Sequence, residues 1–464
     1  MSTSKIFLWN TIMNLLASPV RLGLNIYLAS CLLPKDFGAV VIPLVIISLS
    51  DVLIDAGFKA SLIQKSTLKN SHCSTIFFSN LLASVGLFLF FLLLAFPLQS
   101  YFQIPNLAVL IIIASFSLII RSLGMVTEAR LQIRGKYGQL IFTESLSYFV
   151  AYGVGIYLAK KGYGPFSLII MSLLSEIGYN LGMYKIEKFV PSFKLVSKKL
   201  LALHWRMGKN LFGQGLLETF SNKVDEIILG KFININKLGT YSKGREYSNT
   251  LGVVGSKFFA RPWFSVMSKH SLNKQFFVNR YRFAYLILVT SGFCLIAGNY
   301  LLGGPFIIHV MGRQWVGLVY PFKFFMISTA MYYLITFNKY TVLALGKPEV
   351  NFRIESMYSM FRITMLICIF LFFQRSAVLI YLLISTDVLS RLLMVTVQSY
   401  SLSKILYHDL KLFVNGAMLL VIITGVLSLI QNISYIYLGV YLVSVLVIMS
   451  YVMYKNYKIA LNKA

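Results

Sequence analysis

The chain alternates long apolar stretches with short polar ones, and this pattern sets its architecture. A helix needs about 20 mostly apolar residues to cross the hydrocarbon core of a bilayer. Read in such windows, the sequence predicts about fourteen spans, near 6–33, 38–62, 75–98, 106–127, 140–159, 164–184, 208–230, 239–260, 283–302, 317–343, 354–373, 377–400, 412–430 and 434–454. The first, seventh and eighth are unusually polar. Barrel strands would be short and alternating, which these stretches are not. The expected fold class is an all-α polytopic membrane protein. The connections are too short to hold a soluble domain, so an enzyme working from a large extramembrane domain is excluded, and the chain is expected not to be an enzyme.

Composition sharpens this picture. Hydrophobic residues make up 57% of the 464 residues and charged residues only 12%. Soluble domains keep about 25% charged residues. The 43 Lys and Arg outweigh 15 Asp and Glu, giving a formal net charge of +28. A nucleic-acid-binding domain would share the basicity but not the repeated apolar runs, so no nucleic-acid partner is expected. Cys31, Cys73, Cys294 and Cys368 form no C-x-x-C pair, and the five histidines are scattered, so neither type offers metal-ligand spacing. The apolar segment after Lys5 runs to Leu33 and reads as a span, not a cleaved leader.

Much of the basic excess is an orientation signal. With the N-terminus in the cytoplasm, the inside loops collect 25 Lys and Arg and the outside loops 7. The positive-inside rule then places both termini in the cytoplasm. The longest basic stretch, Lys185 to Lys209, separates spans six and seven and reads as a linker at anionic lipid headgroups. The expected organisation is a six-helix lobe at 1–190, a basic linker at 191–207, a second six-helix lobe at 208–403, and helices 13 and 14 with a tail at 404–464.

An internal repeat supports two pseudo-symmetric lobes. Leu28–Gly38 (LASCLLPKDFG) and Leu229–Gly239 (LGKFININKLG) align at an offset of 201, each at the outer end of an odd span. Gly135-Lys136 followed by Glu144-Ser145 matches Gly346-Lys347 followed by Glu355-Ser356 at an offset of 211. The second half therefore carries about ten extra residues between these landmarks, most naturally around Leu302–Trp315. Both halves start inside, so the repeats are parallel. Repeats of this kind usually enclose a substrate site near the midplane.

Charges inside the spans mark candidate chemistry, because a charge at the bilayer centre costs roughly 2.5–3.5 kcal/mol on insertion scales. In span one, Asn14, Ser18, Arg21 and Asn25 fall on one helical face. Arg21 sits mid-span, either as the partner of a buried acid or as a contact to an anionic substrate. Span seven carries a parallel stripe of Gln214, Glu218, Asn222 and Asp225, with Lys223 either paired to Glu226 or touching substrate. Arg362 is a further in-span cation. The substrate-binding candidates are thus Arg21, Asn14, Asn25, Asn222, Lys223 and Arg362. In span two, Asp51, Asp55 and Lys59 are each four residues apart, and the simplest reading is an i,i+4 ion pair between Asp55 and Lys59. Coupling to H+ or Na+ is the competing role for Asp51 and Asp55, and Glu218 and Asp225 join them as coupling candidates. Glu144 and Glu355 are expected to pair with nearby basic residues. No metal and no other cofactor is expected.

The segment Leu32-Leu33-Pro34-Lys35-Asp36-Phe37-Gly38, followed by a span ending Asp55-Ala56-Gly57-Phe58-Lys59-Ala60-Ser61-Leu62, resembles the opening of bacterial polysaccharide exporters. The basic loop Arg130–Gly138 and the turn Leu238-Gly239-Thr240-Tyr241-Ser242 resemble later family features. The family is that of the Wzx-type flippases for O-antigen and exopolysaccharide units, within the multidrug/oligosaccharidyl-lipid/polysaccharide exporter superfamily. The resemblance implies a V-shaped pair of six-helix lobes with two further C-terminal helices and an alternating-access cycle. It also implies the cytoplasmic membrane as location and an oligosaccharide on undecaprenyl diphosphate as substrate. Membrane lipids, a polysaccharide polymerase and chain-length machinery are the implied partners. Two rivals share the fold: a cation-coupled multidrug exporter, which the absence of an acid in span one disfavours, and a lipid II flippase.

Overall fold

The computed structural model describes residues 18–65, 69–271, 273–373 and 379–406. Expected spans thirteen and fourteen, and Asn14, lie outside these residues. Each of the first twelve expected spans coincides with helical structure: α1 (18–30), α2 (Pro34–Asp55) with α3 (Phe58–Ile63), α4 (Asn70–Phe102), α5 (Leu107–Ile133), α6 (Tyr137–Lys160) and α7 (Pro165–Ile186). They continue with α8 (Lys198–Phe232), α9 (Ile235–Lys269), α10 (Lys274–Phe306), α11 (Val319–Ala344), α12 (Pro348–Phe373) and α13 (Leu379–Leu406). The helices overrun the apolar windows because hydropathy marks the hydrocarbon, not the end of the hydrogen-bond ladder. Nine segments among the described residues are long and apolar enough to cross a membrane. The helices α8 and α9 are not among them, which matches the polarity of spans seven and eight.

Packing divides the chain into two compact units, Met1–Ser242 and Lys243–Ala464. This boundary falls later than the 191–207 linker, because α8 packs on α2, α3 and α4. The linker itself is pinned to the start of α4. The Ser192 and Ser197 backbone N–H groups donate to Ser74 Oγ (3.1 Å) and Thr75 Oγ1 (3.2 Å), and the Phe193 ring meets Phe78 edge-on. Arg130 and Arg134 both hold the buried carboxylate of Glu187 where the linker begins.

Two glycine contacts fix the first unit. Pro34 opens α2 at its first turn, where no N–H is needed, and Asp36 accepts the Leu33 N–H at 2.9 Å. One turn on, Gly38 faces Ile235, and Gly239 faces Pro34 and Gly38. A Cβ on either glycine would overlap the opposing backbone. The two repeat-related turns therefore cross each other backbone to backbone. The second contact breaks span two. Ala56 and Gly57 take left-handed backbone angles (φ 45° and 73°), ending α2 and letting α3 restart, and Gly57 lies directly on Gly208 of α8.

The second unit is built on an aromatic core in which Tyr281, Tyr285 and Phe337 are fully buried. Two of its polar edges are hydrogen-bonded inside the core: Tyr281 donates to Asn338 Oδ1 (2.8 Å) and Trp263 Nε1 to Thr341 Oγ1 (2.8 Å). The extra residues of this half fold as a π-turn (Ile307–Met311) and a 3-10 turn (Arg313–Leu318) between α10 and α11.

Replacing Gly239 by Val is expected to destabilise the protein by about 1–3 kcal/mol, the usual cost of overpacking. Thermal unfolding in detergent should show a lower midpoint. Gly213→Ala, where a Cβ meets nothing within 4 Å, should leave the midpoint unchanged or raise it.

Candidate functional site

The helices of the first unit surround a cavity of about 980 Å³. It is lined by five carboxylates (Asp51, Asp55, Glu128, Glu144 and Glu176) and two cations (Lys59 and Arg121). The charges are organised in local sets. Arg121 on α5 bridges two acids: its Nη1 meets Asp51 of α2, and its Nε donates to Glu176 Oε1 of α7 at 2.6 Å. Lys59 Nζ pairs with Glu128 Oε1 at 2.6 Å. Arg21 of α1 reaches Glu144 Oε1 of α6 at 2.8 Å and Ser145 Oγ at 3.1 Å, with its guanidinium 5.0 Å above the Tyr148 ring. These side chains keep 18–49% of their surface accessible, so the ion pairs face an open, waterable space. Tyr148 stacks on Tyr152 with centroids 4.2 Å apart, and Asn25 donates to the Tyr152 hydroxyl at 3.0 Å.

The second unit holds a contrasting cluster. Asp387 on α13 accepts from Arg391 Nε (3.0 Å) and Ser328 Oγ (2.6 Å), and its other oxygen meets Arg362 Nη2 of α12 at 3.2 Å. Arg245 of α9 acts electrostatically on the same carboxylate. Arg362 is 1% exposed and Arg391 7%, so this network is sealed where that of the first unit is open. The offset of 211 that relates Glu144 to Glu355 also relates Glu176 to Asp387. Each of these two carboxylates is held by arginine. In the first unit one arginine serves two acids; in the second, two arginines grip one acid.

The expected site residues are distributed as follows. Arg21, Asn25, Asp51 and Asp55 come together on or beside the cavity of the first unit. Arg362 is buried in the second unit on Asp387. Lys223 pairs with Glu226 at 2.9 Å, Asp225 is buried and accepts from the Tyr241 hydroxyl at 2.5 Å, and Asn222 and Glu218 are exposed. Glu144 and Glu355 each pair with a cation, Arg21 and Lys339 (2.6 Å) respectively. One expectation is corrected. Asp55 does not take Lys59 as an i,i+4 ion pair; its Oδ1 caps the Lys59 backbone N–H at 3.0 Å, and the Lys59 ammonium goes to Glu128. The i,i+4 rule assumes a continuous helix, and the left-handed Ala56-Gly57 step interrupts this one.

The histidines were legible only as isolated residues, yet two of them meet. His204 of α8, fully buried, contacts Ser61 Oγ of α3 through Nδ1 (2.8 Å) and His72 Nδ1 of α4 through Nε2 (2.9 Å). Lys65 lies 3.4 Å from the far side of His72. Burial, reinforced by His72 and Lys65, pushes the His204 ring down to about 4, so it stays neutral and ties α8 to α3 and α4. No local spacing connects residues 132 positions apart.

A family model described as polysaccharide biosynthesis protein matches residues 27–320, more than half of the chain. The chain belongs to this family. Among curated proteins it is 23% identical over 226 residues to the succinoglycan biosynthesis transport protein ExoT of Rhizobium meliloti (strain 1021), covering 48% of this chain and 45% of ExoT. It is 22% identical over 316 residues to the teichuronic acid biosynthesis protein TuaB of Bacillus subtilis (strain 168), covering 66% of this chain and 64% of TuaB. The matches thus span about half to two thirds of these relatives' lengths. Among solved structures, the lipid II flippase MurJ in its inward closed conformation superposes with a TM-score of 0.69 at 15% identity, over 96% of this chain and 99% of that one. At that identity the likeness establishes the fold. With nine apolar helices among its described residues, this polysaccharide biosynthesis family member is a multi-pass membrane protein.

If Arg21 and Glu144 act chiefly on each other, their substitutions will not add. Arg21→Gln is expected to lower surface polysaccharide at native expression, and Arg21→Gln combined with Glu144→Gln to recover part of the loss. A double variant as defective as the two losses combined would show that Arg21 works independently of Glu144.

Proposed function

We propose that the protein moves lipid-linked oligosaccharide units, carried on undecaprenyl diphosphate, from the inner to the outer leaflet of a bacterial cytoplasmic membrane. The reading includes fourteen spans in two six-helix lobes, cytoplasmic termini and an alternating-access cycle. The observation that carries it is a polar cavity of about 980 Å³ within the helices of a polysaccharide biosynthesis family member. Sugar hydroxyls cannot enter hydrocarbon without hydrogen-bond partners. The carboxylates of this cavity offer acceptors, and Tyr148 and Tyr152 offer flat rings for sugar faces. The lipid tail can remain in the bilayer, and no covalent step is needed. The relatives' printed names point the same way: ExoT is named a transport protein of succinoglycan biosynthesis, and TuaB a protein of teichuronic acid biosynthesis.

The polarity of the cavity refines the roles of its residues. Counting Arg21, it holds five acids against three cations, so it repels a diphosphate overall and favours neutral sugars and cations. Asp51, which shares Arg121 with Glu176, is the coupling candidate for H+ or Na+ in this reading. The same polarity favours a second reading, a cation-coupled exporter of organic cations.

The two readings separate in a deletion strain. The flippase reading expects loss of surface polysaccharide and accumulation of lipid-linked repeat units on the inner leaflet, both restored by the gene on a plasmid. Intact polysaccharide together with heightened sensitivity to cationic drugs would replace it with the exporter reading.

A further inference from the structure

Between α7 and α8 the chain runs along the first three turns of α4. The Phe189 ring meets Phe77, the Ser192 and Ser197 N–H groups donate to Ser74 and Thr75, and the Phe193 ring meets Phe78 with centroids 5.3 Å apart. Phe78 heads a stripe on α4 that Leu82, Leu89, Leu93 and Phe96 continue, all four exposed and at helical spacing. Of the nine candidate spans among the described residues, α4 is the least buried, so this stripe faces lipid. The linker prolongs it: Val190 is 81% exposed and Phe193 75%, with Leu195 and Val196 exposed beside them. Backbone donors here are met from within the protein, since the Leu195 and Val196 N–H groups donate to Ser192 O and Phe193 O, both at 3.1 Å. An irregular segment needs such partners before it can enter the acyl boundary. Lys188, Lys194, Lys198 and Lys199 flank the apolar side chains, and all four are exposed. The acid of this stretch, Glu187, is buried and held by Arg130 and Arg134, and the next along the chain is Glu218. α8 itself opens on Lys198-Lys199, with no acid in its first turn and no side-chain cap from Ser197. A helix start attracts anions and disfavours cations, so two lysines there gain stability when an anion joins them.

We propose that residues 188–199 form a lipid-docking element: Val190, Phe193, Leu195 and Val196 enter the acyl boundary beside α4, and Lys188, Lys194, Lys198 and Lys199 hold anionic phospholipid headgroups. Charge alone places the stretch near headgroups; the seating on Ser74, Thr75 and Phe78 sets its depth. The 33 residues of α4 measure about 50 Å against about 30 Å of hydrocarbon, so about 10 Å overhangs at each end. Phe78 lies about 12 Å along the axis from Asn70, at the boundary, and carries Phe193 with it. The lysine stems lie along the apolar surface with their ammonium groups among the headgroups. The occupant is a bilayer and not a protein, because the surface continues the lipid-facing stripe of α4. The element leads straight into α8, which packs on α2, α3 and α4, so lipid held at Lys198 and Lys199 steadies the start of that helix. The inference goes beyond the flippase reading and is independent of what the protein carries; it needs only α4 to span the bilayer.

The test uses the full-length protein. In vesicles of phosphatidylcholine and phosphatidylglycerol with brominated acyl chains, Phe193→Trp is compared with the wild type, whose own four tryptophans set the baseline. The added emission is expected to be quenched by the bromolipid and shielded from aqueous iodide. Added emission quenched by iodide and untouched by bromolipid overturns the insertion and with it the proposal; Val190→Trp gives the same reading should the first variant fail to fold. In detergent at low ionic strength, phosphatidylglycerol is expected to raise the unfolding midpoint more than phosphatidylcholine, with the advantage fading as salt is added. Each of Lys194→Gln, Lys198→Gln and Lys199→Gln should weaken the apparent affinity for phosphatidylglycerol about fivefold. Lys237→Gln, exposed just past the far end of α8, should leave it unchanged. Equal midpoints in the two lipids, or a phosphatidylglycerol effect that survives all three substitutions together, overturns the docking element. Glycerol phosphate protecting as well as phosphatidylglycerol assigns the lysines to a free anion and overturns it too. None of these results bears on the flippase reading, which stands or falls on lipid-linked intermediates in the deletion strain.

Discussion

A guanidinium placed among apolar helices keeps its charge, and every neighbour must answer to that. In the first unit the answer is an excess of acids around an open space: Arg121 is shared by Asp51 and Glu176, and Arg21 is met by Glu144. In the second unit the answer is one carboxylate, Asp387, shared by arginines in a sealed core. The two networks thus answer the same constraint differently, one open and acidic, one sealed.

The backbone supports these networks through small residues. The crossing of Gly38 with Ile235 and of Gly239 with Pro34 locks the two repeat-related turns of the first unit together. The Ala56-Gly57 break against Gly208 redirects span two, so that Asp55 and Lys59 serve different partners. The buried His204 joins the same region to α4 through His72. Three elements, α3, α4 and α8, are therefore held at one point by neutral hydrogen bonds, where a surface loop alone would leave α8 free to slide.

Much of the architecture is legible in the sequence because the bilayer imposes it. The positions of spans two to twelve, the polarity of spans seven and eight, and the close turns at Gly38 and Gly239 all follow from hydropathy and glycine placement. The pairing of Glu144 and Glu355 with cations follows from their company in the span. What stays hidden depends on long-range partners. Arg21 reads equally as a substrate contact or as an acid's partner until Glu144 is seen beside it. Arg362 reads as a cavity cation, yet it lies in a sealed core because Asp387 is close by in space. The Asp55–Lys59 pair fails because a local rule cannot see a left-handed step, and His72 with His204 has no local signature at all.

The most direct measurement reconstitutes the purified protein into liposomes holding a labelled oligosaccharide on undecaprenyl diphosphate and follows its accessibility to an external lectin over time. The account predicts leaflet exchange that depends on the protein. Exchange no faster than in protein-free liposomes, with the same preparation expelling an organic cation down an ion gradient, would contradict it.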